Sequence, residues 1–440
     1  MLILAPPFAF AAEPSEPSAP AGPPRTAPAP PSAAPEIRHY AVRYDVRIVP
    51  TERVAYVEIT LGAGASLVHS IRLAIDPDRH LAFSADGGFS FERGGLLWKP
   101  PDVGGSLSYV FRIDQLRGAA SYDARCAENW ALFRGGDLVP PVRVVTEDGA
   151  RSQAELRFRL PKGWSVAVPY ERRPDGTFLI VRPERHFDRP TGWMIAGRLG
   201  VLRERIARTA VAVAGPTGED VRRQDMLALL RWTLPTLRDI LGQLPDRLLV
   251  VSAGDPMWRG GLSGPRSLYV HADRPLITGD LTSPILHELF HSVTRSRSGP
   301  GGDWIVEGLA EYYSLQLLVR SKTVSKRRYQ RALARLEERG KGVRDLAVET
   351  SEGAVTARAV TVMHRLDREI QETTDGAASL DDVVAQLTAT PAALTLDRLQ
   401  TVVSAVTGQD FARFFANFPR APQPAPVPPP GSQPPPPTTP

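Results

Sequence analysis

Between residues 37 and 202 the chain repeatedly alternates apolar with polar or small positions. Tyr40, Val42, Tyr44, Val46 and Ile48 are each separated by one such residue, the period of a strand with one buried face. Similar runs recur at 54–61, 107–113, 154–160 and 177–181. Asp86-Gly87-Gly88, Pro100-Pro101 and Asp175-Gly176 fall between them at the spacing of antiparallel turns. The pattern predicts an antiparallel β-sandwich. After residue 203 the period changes. An apolar run at 209–214 is followed by a helical stretch at 219–242, kinked or broken near Pro235. Strands are expected at 247–252 and 267–271, and helices at 284–296, 303–320, 325–339, 355–373, 379–388 and 394–417. The fold class is therefore a multidomain α+β chain. A β domain at 37–204 precedes a mainly helical domain with a small sheet at 205–420.

The two ends follow different rules. Residues 1–12 form an apolar run closing on Ala9, Phe10, Ala11 and Ala12, which is like a secretory signal and its cleavage site, without the positive n-region. Export to the periplasm or the medium is the expectation. Residues 13–36 are rich in Pro and Ala, and 421–440 are mostly Pro. Such compositions bury too little apolar surface to offset ordering entropy, so both are expected to be disordered spacers. Elsewhere no run of 18 apolar residues occurs free of charges or proline pairs, and no integral membrane segment is expected.

Composition narrows the chemistry. The 53 basic and 48 acidic side chains leave a net charge of +5, with both signs mixed along the chain. That argues against nucleic acid as the main partner. Cys126 is the single cysteine, so a disulfide framework or cysteine metal site is excluded, and any metal must be held by His, Asp or Glu. No phosphate-binding glycine loop of the Rossmann or Walker type is present.

The residue pattern His287-Glu288-Leu289-Phe290-His291 sits where Ser283 and Pro284 start a helix. Two imidazoles four residues apart project from one side of a helix and can share a metal ion, with Glu288 beside them to reach a metal-bound water. A catalytic zinc takes three protein ligands. Glu307, in Trp304-Ile305-Val306-Glu307-Gly308-Leu309-Ala310-Glu311, lies far enough on for a loop to turn and a second helix to bring its first turn back to the metal. Glu311, one turn later on the same face, can accept a hydrogen bond from a ligand imidazole and fix its orientation.

HELFH followed by WIVEGLAEYY resembles the glutamate zincins, in particular the glycyl aminopeptidase family of zinc peptidases related to aminopeptidase N. The similarity continues through Arg365-Leu366-Asp367-Arg368-Glu369-Ile370, Ser379-Leu380-Asp381-Asp382 and Val406-Thr407-Gly408-Gln409-Asp410-Phe411. The resemblance implies a β-rich domain before a thermolysin-like catalytic domain, one zinc ion on His287, His291 and Glu307, Glu288 as general base, and a peptide or protein substrate. It also implies that the glycine-rich strand Gly260-Gly261-Leu262-Ser263 binds substrate.

The chain departs from that family at two positions. Ser263 stands where the family has a Glu that holds the substrate's free amino group, and Thr356 falls where it has a Tyr that stabilises the oxyanion. Strict selection of a free N-terminus is therefore not expected, since an uncharged hydroxyl gives no charge-assisted bond to an ammonium. Tyr269, His271, Tyr312, Tyr313, Tyr329 and His364 are the candidate replacements for the Tyr. The family's C-terminal PDZ domain is not expected, because a Pro-rich tail follows the helices. The alternative reading is a weakly active or inactive zinc-binding relative that holds peptides or proteins.

Overall fold

In the computed structural model, which describes residues 38–181, 186–390 and 392–416, Tyr40, Val42, Tyr44, Val46 and Ile48 are all buried on one strand, Arg38–Val49. The alternation in the sequence is thus a core face. Val54–Leu61 repeats it residue by residue. These strands lie inside a seven-stranded sheet, and sheets of four and five strands complete the first half. Most neighbours run antiparallel, as the turn residues predict. One pair differs: Arg38–Val49 runs parallel to Ala150–Arg159 in continuous register. The two are far apart in sequence, with intervening strands to carry the chain back, so no hairpin dictates their direction.

The second half begins with the hairpin β1 (Leu199–Ile206) and β2 (Thr209–Pro216). Helix α1 (Arg223–Leu241) leads to β3 (Arg247–Val251), β4 (Gly261–Gly264) and β5 (Ser267–Val270). The sheet order is β1-β2-β3-β5-β4, with β4 on the outer edge, antiparallel to β5. Pro235 lies within α1 and does not end it. Leu230, Leu234 and Leu237 are buried around it, and their packing offsets the backbone bond that proline removes.

Six helices follow: α2 (Pro284–Thr294), α3 (Asp303–Arg320), α4 (Lys326–Gly340), α5 (Ala354–Thr373), α6 (Leu380–Ala389) and α7 (Leu396–Thr407). The helix expected to run from 394 to 417 is broken. Gly408 adopts φ 66° and caps α7, and a four-residue turn of helix, Ala412–Phe415, follows. A glycine in the left-handed region ends a helix without the Cβ clash another residue would meet.

The small sheet is buried on both faces. Leu248 and Val250 of β3 join the helices in one core, whereas Leu249 and Val251 join Trp130, Leu132, Trp193 and Ile195 of the first half in another. That explains why β3 reads as an unbroken apolar run. The edge hairpin is fastened by Trp193, whose indole N–H donates to the Leu262 carbonyl at 2.9 Å and whose backbone N–H donates to the Ser267 hydroxyl at 2.7 Å. Among the described residues no helix is long and apolar enough to cross a membrane. The signal-like segment, the 13–36 linker and the 421–440 tail lie outside the described residues.

Candidate metal centre

Helix α2 is started by Ser283, whose hydroxyl accepts from the Leu286 N–H, and by Pro284 in the first turn. Its apolar stripe, Ile285, Leu286, Leu289 and Phe290, is buried. His287, Glu288 and His291 remain on the partly open side. Ser292 locks the helix to the sheet, its hydroxyl lying 2.8 Å from both the Ser267 and Glu288 carbonyls. Helix α3 carries Asp303, Glu307 and Glu311 one turn apart on a single face. Phe290 stacks on Tyr313 with ring centres 5.0 Å apart, which fixes the two helices against each other.

The facing sides of α2 and α3 bring three ligand atoms together. His287 Nε2 and His291 Nε2 are 3.1 Å apart. Glu307 Oε2 is 3.2 Å from the first, and Oε1 is 3.4 Å from the second. Tetrahedral zinc with nitrogen and oxygen ligands needs ligand atoms about 3.3 Å from one another, leaving one position open. The two imidazoles and the Glu307 carboxylate, through its two oxygens, approach that spacing, and within the described residues they are the one group of His, Cys, Asp and Glu that converges tightly enough for a metal. The remaining nitrogen of His287, Nδ1, lies 2.9 Å from Glu311 Oε2. A carboxylate there holds the ring so that Nε2 faces the metal position.

The electrostatics follow from burial against neighbours. Burial works to lower the His287 imidazolium, but the hydrogen bonds to Glu307 and Glu311 prevail and carry it up to about 10. Glu307 moves the other way. Its burial disfavours charge, yet the two imidazoles hold its carboxyl well below the usual range. Glu288 is raised, first by burial, and the nearby His287 and His291 oppose that shift. A carboxylate raised toward neutrality is suited to taking up and releasing a proton.

Strand β4 passes directly over Glu288. The Ser263 backbone N–H lies near the Glu288 carboxylate and favours its charged form, against the effect of burial. A Cβ added at Gly261 would stand 2.7 Å from Glu288 Cγ, so glycine permits the close approach. Gly260 in turn lies beneath the Trp258 ring, about 2.2 Å from where its own Cβ would be. Gly261, Leu262 and Ser263 thus form an edge strand alongside the metal-binding side chains, with Gly260 just before it.

Of the six candidate replacements for the missing Tyr, three donate elsewhere, whereas His271 Nε2 and His364 Nδ1 have no hydrogen-bond partner among the described residues. Tyr312 donates to Asp367 at 2.7 Å, Tyr313 to Asp381 at 3.0 Å and Tyr269 to the Trp258 carbonyl at 2.9 Å. Tyr329 accepts from Gln316 at 2.7 Å. His271 is wholly buried and accepts the Asp273 N–H. His364 packs its ring against Tyr312 and Tyr329. Thr356 donates to the Ser351 carbonyl at 3.1 Å. The motif residues Asp367 and Asp381 have structural work here: Asp367 joins Tyr312 of α3 to the Leu380 N–H at the start of α6.

Two other features are quiet. Cys126 is buried, and burial with Asp114 nearby pushes its thiol up to about 12. The basic face of α4 is spent locally, with Arg335 and Arg339 both reaching Asp280.

Local spacing missed one part of the site. Helix α2 ends at Arg295, in the left-handed conformation. Residues 293–297, with Leu387, Thr388, Thr390, Ala392 and Ala393 opposite, then line a groove that opens from His291 and Ser263. Contacts this distant in sequence leave no periodic signal.

No protein-family profile matches the sequence, and no curated protein does. Solved structures do match. An aminopeptidase N family protein from Idiomarina loihiensis superposes with a TM-score of 0.64 at 15% identity, over 86% of this chain and 75% of that one. A point mutant of the M1 zinc metallopeptidase from Deinococcus radiodurans superposes with a TM-score of 0.58 at 17% identity, over 89% of this chain and 96% of that one. The same mutant bound to a Tyr-Ser-Ala substrate gives a TM-score of 0.54 at 15% identity, again over 89% and 96%.

Proposed function

We propose that this chain, which has the fold of the zinc metallopeptidases related to aminopeptidase N, hydrolyses peptide bonds with one zinc ion held by His287, His291 and Glu307. The observation that carries the reading is the convergence of the two imidazole Nε2 atoms and the Glu307 carboxylate oxygens, 3.1 to 3.4 Å apart, with Glu288 next to them under an edge strand. Zinc bound there supplies an electrophile that acidifies a water and polarises a carbonyl.

The protein's own residues divide the remaining work. Glu288, raised by burial, takes a proton from the attacking water and delivers it to the leaving amine. The close passage of Gly261, with no side chain, leaves room for that carboxylate beside the strand. Glu311 orients His287. Strand β4, together with Gly260 just before it, aligns the substrate backbone along its outer edge. Because position 263 bears a hydroxyl and no carboxylate, a free N-terminus is not required.

The chain is read as an exported protein, with its β domain at 37–204, its catalytic domain at 205–420 and Pro-rich spacers at both ends. Substituting Glu288→Gln tests the mechanism. Hydrolysis of a mixed peptide library, read by mass spectrometry, is expected to disappear while one zinc per chain remains. The second reading is a zinc-binding module that holds peptides without cleaving them, and it draws on Tyr269, Tyr312 and Tyr313, three of the candidate oxyanion donors, donating elsewhere. Stoichiometric zinc with no cleavage by the unsubstituted protein would favour it.

A further inference from the structure

The groove leading from His291 and Ser263 has a volume of about 870 Å³. Its walls are the edge hairpin, the segment after α2 and the segment between α6 and α7. Besides His291, its charged lining residues are Arg295 and Arg297, and no acidic side chain lines it among the described residues. The Arg297 guanidinium is exposed and has no hydrogen-bond or ion-pair partner among the described residues. A peptidase that gripped a substrate ammonium at this place would need the opposite sign of charge.

The walls are built to hold that sign in place. Leu394 donates its N–H to the Arg297 carbonyl at 2.7 Å and accepts from Gly299 at 2.7 Å, so the two walls are laced together on either side of Ser298. A Cβ at Gly302 would collide with the Leu394 carbonyl at 1.9 Å, which keeps the segment tight against its neighbour. Arg398 fastens the far wall, donating to the carbonyls of Leu387 at 2.9 Å and Thr390 at 2.8 Å, and to that of Ala392. Arg297 therefore projects from a braced segment.

We propose that this groove binds a carboxylate of the peptide, with Arg297 as the contacting residue and Arg295 contributing charge beside it. The inference rests on the peptidase reading for its substrate class. The carboxylate belongs either to an acidic side chain near the cleaved bond or to the free C-terminus of a short peptide. A free ammonium is repelled at the same place, which agrees with the hydroxyl at Ser263.

The test uses the zinc-loaded full chain and peptides identical except for charge. One set is blocked at both ends and carries Glu, Gln or Lys at successive positions. A second, uncharged set has either a free or an amidated C-terminus. Binding is measured by fluorescence anisotropy on the Glu288→Gln protein, and cleavage on the unsubstituted protein. Binding about threefold to tenfold tighter for carboxylate-bearing peptides, lost in Arg297→Gln, reversed in Arg297→Glu and weakened by salt, is the expected result. A preference confined to the blocked Glu set identifies a side-chain carboxylate. One confined to free C-termini identifies the chain end. Equal binding of the Glu, Gln and Lys peptides overturns the inference, as does a preference that survives Arg297→Gln, or no peptide binding at all. Carboxylate-selective binding without cleavage would sink the peptidase reading and leave the groove assignment standing. Cleavage without charge preference would do the reverse.

Discussion

The backbone of Gly261 lies so close to Glu288 that a Cβ placed on it would stand 2.7 Å from Glu288 Cγ. The position of the proposed proton carrier is thus set by a strand and not by its own helix alone. Gly261→Ala should displace the carboxylate while leaving His287, His291 and Glu307 where they are. Turnover is expected to fall about 100-fold, the scale of loss for a misplacement near 1 Å. Zinc content measured on the same sample should be unchanged, and a parallel loss of zinc would contradict this division.

Glu311 is nearly buried and its Oε2 touches His287 Nδ1 at 2.9 Å. Removing that contact in Glu311→Ala should weaken zinc binding by about 10-fold to 100-fold, the usual effect of losing a partner behind a ligand imidazole. Competition with a chelator of known affinity reads this directly.

In the metal-free protein the His287 imidazolium persists up to about 10, above the ordinary histidine value near 6.5. A group whose folded pKa is raised gives its full stabilisation below the unfolded value, and loses it as pH rises through the folded one. The chelated protein should therefore lose thermal stability between pH 6.5 and about 10. Zinc must displace this proton, so its affinity should rise with pH across the same interval. Melting curves of chelated and zinc-loaded samples should separate most at the alkaline end, and parallel curves would refute the assignment.

Ser263→Glu would place a carboxylate at the edge of the groove. The ratio of cleavage of free to N-acetylated peptides should rise about fivefold, as expected for one added charge pair at a partly open site. An unchanged ratio would mean that position 263 does not face the substrate's end.

Asp367 accepts from the Tyr312 hydroxyl and the Leu380 N–H and is buried. Asp367→Ala leaves both donors unsatisfied and should destabilise the fold by about 1–3 kcal/mol for each. Denaturant titration measures the loss, with the zinc stoichiometry of the folded fraction expected to stay the same.

The parts of this structure that were legible in the sequence are those governed by local periodicity. The strand at Arg38–Val49 and the helices bearing His287 and Glu307 follow directly from the spacing of their apolar residues. Their limits blurred where one residue decides, as at Gly408, or where tertiary burial overrides a local breaker, as at Pro235. The parallel partner of the first strand was invisible because pairing between distant segments has no local signature. The same holds for the clamp of Arg398 on three carbonyls. For the candidate site, the motif spacing pointed to the three residues that converge, whereas the passage of Gly261 across Glu288 and the charge of the groove emerged only from packing.

Strand β4 ends its sheet with four residues, two of them glycines. A free edge invites any extended chain to add on, and a long apolar one would nucleate aggregates. Here the exposed ladder is long enough for only a few backbone bonds and has little side-chain surface to reinforce them. The border beside Glu288 is thus too short to hold an extended chain by its backbone alone, and under the proposed reading a strand once cut would have little to keep it there.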